Sequence, residues 1–327
     1  MKKFWISCAV VLLLFLAACS EENESNDQEL TDVTLVLDWT PNTNHTGIYV
    51  AEEKGFFEDQ GIDVEIIMPG ESGPEQTVAS GQAEFGISAQ ETITEARVQG
   101  IPVVSIGAII QHNTSGFAAP KEYGIKSPKD FVGKKYGGWG APVEAAVIDS
   151  LMKQEGASVD DVEIVNIGNT DFFTAVKRDI DFAWIYYAWT GIEAELRGEE
   201  LDMLYLTDYS DKLDYYTPVI MTNEDMVNDN KEVVASFMKA VSEGYEFAIE
   251  NPEEAADILL EHVPDLDEEL VHVSQEWLSP KYQDDADKWG QQSADIWRNY
   301  ADWMYENELI DEELDVEAAF TNEFLPE

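Results

Sequence analysis

Strand-like apolar runs alternating with helical stretches, twice over along one chain, limit this sequence more than any other feature. Runs at 33–37, 64–68, 83–87 and 103–110 are mostly apolar and read as strands, with helical stretches at 47–57, 75–79 and 90–99 between them. Pro41, Pro69, Gly70 and Gly81 punctuate the changes. Strands joined through helices pair in parallel, because a parallel partner is reached only by a crossover long enough to hold a helix. The alternation then begins again. Ser127 and Pro128 open a helical turn at 126–130, strands read at 134–138, 162–167 and 181–187, and helices at 142–154 and 171–177. From residue 230 the pattern is helical only: Val234, Phe237, Val241, Tyr245 and Ala248 step by three and four along one face, and Asn251-Pro252 opens another helix. Trp277, Trp289, Trp297 and Trp303 fall in or near this tail and read as packing residues.

The expected fold class is therefore α/β and bilobed, two mostly parallel sheets with flanking helices and a helical C-terminal tail. Lobe 1 takes residues 33–113 and 218–327 with the C-terminal helices, lobe 2 takes 114–217, and the chain crosses near 111–116 and 215–218. Open parallel sheets bind ligands beyond the carboxyl ends of their strands. In a bilobed clamp those ends face a shared cleft.

Read at those ends, the sequence supplies Asp38, Trp39, Asn42 and His45 after the first strand and Gln90 and Glu91 after the third. Asn113 and Ser115 stand at the first crossing, Trp139 lies in a Gly-rich turn, Tyr187, Trp189 and Glu193 follow the last strand, and Tyr216 stands at the return crossing. These thirteen are the expected ligand-binding residues, and Tyr186 and Tyr215 join the aromatic set. The strand ends offer flat aromatic faces, amides and carboxylates, and neither Arg nor Lys. An anionic sulfonate or carboxylate ligand recruits Arg, whose fork matches its oxygens, so a flat neutral or cationic ring fits better. Glu193 has two readings: a capping-box partner of Thr190, or an acceptor for a ligand amino group. His45 is likewise either a satisfied structural histidine or a ligand contact.

No catalytic or metal site is expected. His45, His112, His262 and His272 show no metal-ligand spacing, and no Ser-His-Asp order can be placed. Cys8 and Cys19 are the two cysteines, so the body beyond residue 19 has no thiol nucleophile and no disulfide. No cofactor is expected. Lys2, Lys3 and an apolar run at 9–16 read as a signal peptide over 1–18, too short for a membrane span. Leu16-Ala17-Ala18-Cys19 resembles the lipobox of bacterial lipoproteins, which implies a lipid on Cys19, an acidic tether over 19–32, and a cell-membrane location on the extracytoplasmic face. With 19 Lys and Arg against 67 Asp and Glu, the formal net charge of −48 excludes nucleic acid as a partner. The acid reads as solubility in a saline or alkaline exterior.

The stretch LDWTPNTNHTG from Leu37, AEEKGFF from Ala51, ASGQAEFG from Ala79, GWGAPVE from Gly138 and the segment from Tyr186 to Glu193 resemble the thiamine-pyrimidine branch of ABC-importer substrate-binding proteins, the ThiY-like family. The resemblance runs from about Val33 to Leu260. It implies a type II periplasmic-binding-protein fold, a monomer partnered by an ABC permease, and a formylaminopyrimidine or hydroxymethylpyrimidine ligand salvaged for thiamine synthesis. It implies no enzyme. The same clan includes pyrimidine synthases that use pyridoxal phosphate and a cysteine-rich motif, which this body lacks, as well as riboflavin binders and sulfonate or nitrate binders. A riboflavin ring system needs a longer cleft than these residues define. A surface chemoreceptor partner is the remaining alternative.

Overall fold

A computed structural model describes residues 30–168 and 170–327. The signal, lipobox and most of the tether lie outside the described residues. Four strands form first: β1 (Thr31–Val36), β2 (Ile62–Ile67), β3 (Phe85–Ser88) and β4 (Val103–Ala108). The chain then crosses and lays down β5 (Ser115–Pro120), β6 (Lys135–Gly138), β7 (Glu163–Asn166), β8 (Phe182–Tyr186) and β9 (Leu201–Tyr205). It returns as β10 (Val219–Asn223). The two sheets have the orders β2-β1-β3-β10-β4 and β7-β6-β8-β5-β9.

Each sheet is parallel except for one strand. β10 runs antiparallel to β3 and β4, and β5 runs antiparallel to β8 and β9. Those two are the strands by which the chain enters each sheet after a crossing. The first crossing therefore ends sooner than the sequence suggests, since Ser115 and Gly116 already pair with Tyr186 and Ile185. Gly116 is required there: a Cβ would lie 2.2 Å from the Leu204 carbonyl oxygen.

The helix expected over 47–57 is two helices, Thr46–Glu53 and Phe56–Asp59, broken where Gly55 takes a φ of 74°. The turn at 126–130 is a single 3₁₀ turn, Pro128–Phe131. The tail holds the helices Lys231–Glu250, Pro252–His262, Glu268–Leu278 and Ala294–Glu306. Val234, Phe237, Val241, Tyr245 and Ala248 are all fully buried, so the predicted face is the packed face. Trp289, Trp297 and Trp303 are buried too.

Two placements in the tail matter for the cleft. The helix Ala294–Glu306 divides its side chains between both halves of the molecule. Trp297 packs with Val36, Ile93 and Val219 around the first sheet, whereas Tyr300, Trp303 and Met304 pack with Phe131, Tyr136 and Phe182 around the second. The helix Glu268–Leu278 meets the segment after β8, and Ala188 of that segment is buried in the core of the first sheet. No helix among the described residues is long and apolar enough to cross a membrane.

Candidate functional site

The carboxyl ends of β1, β6 and β8 carry three exposed aromatic residues. Trp39 is 55% exposed, Trp139 48% and Tyr186 42%, which is unusual for rings of this size in a well-packed molecule. Each stands at or just beyond the end of a strand, before the next helix begins.

The loop after β1 is built around His45. The Asn42 backbone N–H donates to Nδ1 at 3.2 Å, so the ring proton sits on Nε2, which donates to Asp38 Oδ1 at 2.8 Å. His45 is completely buried. Its role in this arrangement is to orient Asp38, whose side chain is 32% exposed. The Asn42 side chain is spent within the loop, accepting from the Asn44 N–H at 2.9 Å and donating to the Thr40 carbonyl at 3.0 Å.

The turn after β6 is built around Glu144, named in the sequence only as part of a motif. Its carboxylate is buried and accepts from the Tyr136 hydroxyl at 2.6 Å and the Trp139, Gly140 and Ala141 backbone N–H groups at 3.1, 2.6 and 2.8 Å. Gly138 makes room, since a Cβ there would lie 1.9 Å from Glu144 Oε1. With four donors around one carboxylate the turn has one conformation, and Trp139 projects from it against Trp184, ring centroids 5.6 Å apart. The sequence signal was a Glu at the third helical position behind a Gly-rich turn, a capping arrangement without a Ser or Thr cap.

Tyr186 brings the two halves together. Desolvation of its hydroxyl, with the Glu91 and Asp38 carboxylates acting in the same direction and Thr217 against it, pushes Tyr186 up to about 12. Asp38 and Glu91 belong to the first sheet's loops and Tyr186 to the second sheet, so the charges of one half act on a group of the other. Burial and the neighbouring Glu95 raise Glu91 to about 7, although the Tyr215 and Tyr300 hydroxyls donate to it at 3.4 Å.

The remaining expected residues lie in the supports of the cleft. Gln90 is buried, accepts from the Tyr216 N–H at 3.0 Å and donates to the Ile296 carbonyl at 3.3 Å. Tyr216 is buried and its hydroxyl accepts from the Ser293 N–H at 2.9 Å. Asn113 donates to the Leu213 carbonyl and accepts from Ser115, whose hydroxyl accepts from Trp184 Nε1 at 2.9 Å. These four tie the crossings together. Beyond β8 the chain makes a π turn, Tyr187–Gly191, before the helix Ile192–Arg197. Thr190 lies inside that turn and caps nothing, and Glu193 pairs with Arg197 instead. The Tyr187 ring packs on Trp277 at 5.2 Å and its hydroxyl donates to Glu195. Trp189 is half-buried against the first sheet's core.

A cavity of about 320 Å³ lies at the first crossing, lined by His112, Thr114, Tyr205 and Trp277 among others, and takes in none of the three open aromatic residues. This cavity flanks the first crossing and stands apart from the strand ends.

A family model described as "NMT1/THI5 like" matches residues 42–255. The chain is 30% identical to the formylaminopyrimidine-binding protein of Halalkalibacterium halodurans, over 98% of this chain and 99% of that one. It is 28% identical to the 4-amino-5-hydroxymethyl-2-methylpyrimidine phosphate synthase of Legionella pneumophila, over 90% and 92% of the two chains. Among solved structures, the periplasmic aliphatic sulphonate binding protein SsuA of Escherichia coli superposes with a TM-score of 0.68 at 14% identity, covering 90% of this chain and 94% of that one, a likeness of fold.

Proposed function

Because the chain belongs to the NMT1/THI5-like family, we propose that it is the substrate-binding component of an ABC importer and captures a thiamine pyrimidine precursor, formylaminopyrimidine or hydroxymethylpyrimidine. One observation carries this reading: Trp39, Trp139 and Tyr186 expose ring faces at the ends of two sheets, beside the Asp38 carboxylate and with no Arg or Lys in the same loops. An aminopyrimidine is flat and uncharged, so it gains from stacking, and its amino group and ring nitrogens are read by carboxylates and amides. The body carries no cysteine, which separates it from the cysteine-dependent synthases of the same family, and the ligand leaves the cleft unchanged. A lipid on Cys19 would hold the protein, a monomer, at the extracytoplasmic face, where it hands ligand to a permease.

Titration calorimetry with formylaminopyrimidine, hydroxymethylpyrimidine, riboflavin and taurine tests this. Heat is expected from a pyrimidine and none from taurine. Heat from taurine or riboflavin with none from either pyrimidine would overturn the reading.

A further inference from the structure

One buried hydroxyl lies between the two halves of the cleft. Ser274, in the helix Glu268–Leu278, is fully buried. Its Oγ is 2.7 Å from the Thr43 hydroxyl and donates to the Ala188 carbonyl. A serine hydroxyl has a single proton. Since that proton goes to Ala188, Thr43 must donate to Ser274, and the three groups form a one-way relay. Thr43 belongs to the loop that carries Trp39, Asp38 and His45, and its own carbonyl accepts from the Tyr282 hydroxyl at 2.5 Å. Ala188 belongs to the π turn that carries Tyr187 and Trp189 and follows Tyr186 directly.

We propose that Ser274 is the latch of the cleft: through this relay the tail helix holds the loop after β1 and the turn after β8 in register, and so favours the closed form. Ser274 does not touch the ligand in this account; it is a positioning residue. Apolar packing flanks the relay. Ala188 and Trp189 pack on the first sheet's core, and the Tyr187 and Trp277 rings meet at 5.2 Å. Opening the lobes on this side separates Ser274 from Ala188 and exposes this packing. A ligand that stacks on both halves then stabilises a form the relay already favours.

The proposal about ligand release rests on the pyrimidine reading, but the latch itself does not, so two measurements are paired. In ligand-free protein, Ser274→Ala should populate open forms and raise the radius of gyration by solution scattering above wild type. In loaded protein, Ser274→Ala should release formylaminopyrimidine about fivefold faster, the size expected for one lost hydrogen bond, with the association rate nearly unchanged. Thr43→Val keeps the volume and breaks only the first limb, so it should show a smaller effect, and the double variant should fall short of the sum. Equal scattering and equal release rates in wild type and Ser274→Ala would overturn the latch. If wild type takes up no pyrimidine, the function proposed above fails, and the ligand-free scattering alone decides for or against the latch.

Discussion

At the scale of single residues, several groups near the crossings titrate away from their ordinary ranges, and the sign is the same for two of them. His112 donates to Asp214 at 2.7 Å and to Asp285 at 3.1 Å. The hydrogen bond to Asp214 leads, and despite burial His112 is pushed up from 6.5 to about 9. A group with a raised folded-state pKa stabilises fully below its unfolded value and loses that contribution as pH rises through the folded one. For His112 the window runs from 6.5 to about 9, and for Glu91, raised by burial, from 4.5 to about 7. Asp214 also accepts from the Asn113 N–H at 2.9 Å, so this ion pair joins the first crossing to the approach of the second. His112→Gln should therefore destabilise the protein most at pH 6, and the difference from wild type in urea unfolding should shrink as pH rises from 6.5 and be largely gone by about 9. A difference independent of pH would mean that the imidazole is neutral in the folded state.

At the scale of elements, the legible part of the sequence was the strand-helix alternation. It located the strand ends, and through them Trp39 and Trp139, because apolar runs and Gly or Pro breaks are local signals. β5, β9 and β10 were not legible as strands. β5 reads SGFAAP, small and polar at its start, and it is strand only because Leu204 and Ile185 flank it in space. The π turn was hidden for a similar reason: Thr190-x-x-Glu193 has the spacing of a cap, but packing of Ala188 into the opposite core winds the chain early. Gln90 and Tyr216 read as contacts, and His45 as either a contact or a structural histidine, because their types suit ligands; their partners are set by tertiary structure. Glu144 is the element-scale case that can be tested. An amide in its place offers one acceptor where the carboxylate has two, and turns an NH₂ toward backbone N–H donors. Glu144→Gln should cost about 2 kcal/mol or more in urea unfolding, whereas Tyr136→Phe, which removes one of the four donors, should cost about 1 kcal/mol. Equal losses would show that the carboxylate does not organise the Trp139 turn.

At the scale of the whole molecule, charge was fully legible and its consequence is general. With 67 acidic residues and 19 Lys and Arg, most carboxylates have no cation available to them even if every cation takes one. Many of the pairs that do form, such as Lys54–Glu254 and Lys231–Glu323, are exposed on at least one side, where ion pairs contribute little. The balance of surface electrostatics is thus repulsion, which opposes a compact state. Repulsion between exposed charges is screened over about 30 Å at 0.01 M salt and about 3 Å at 1 M. Raising NaCl across that range should stabilise the fold. For a domain of 150–250 residues a gain of ~2 kcal/mol corresponds to about 4–8 °C in Tm, and a chain of this length sits at or below the lower end. Differential scanning calorimetry at low and high NaCl, repeated with choline chloride to separate screening from specific cation binding, measures it. A midpoint that stays level or falls with salt would mean that the exposed ion pairs outweigh the unpaired acids. A rise in both salts would identify screening of unpaired carboxylates as the cause.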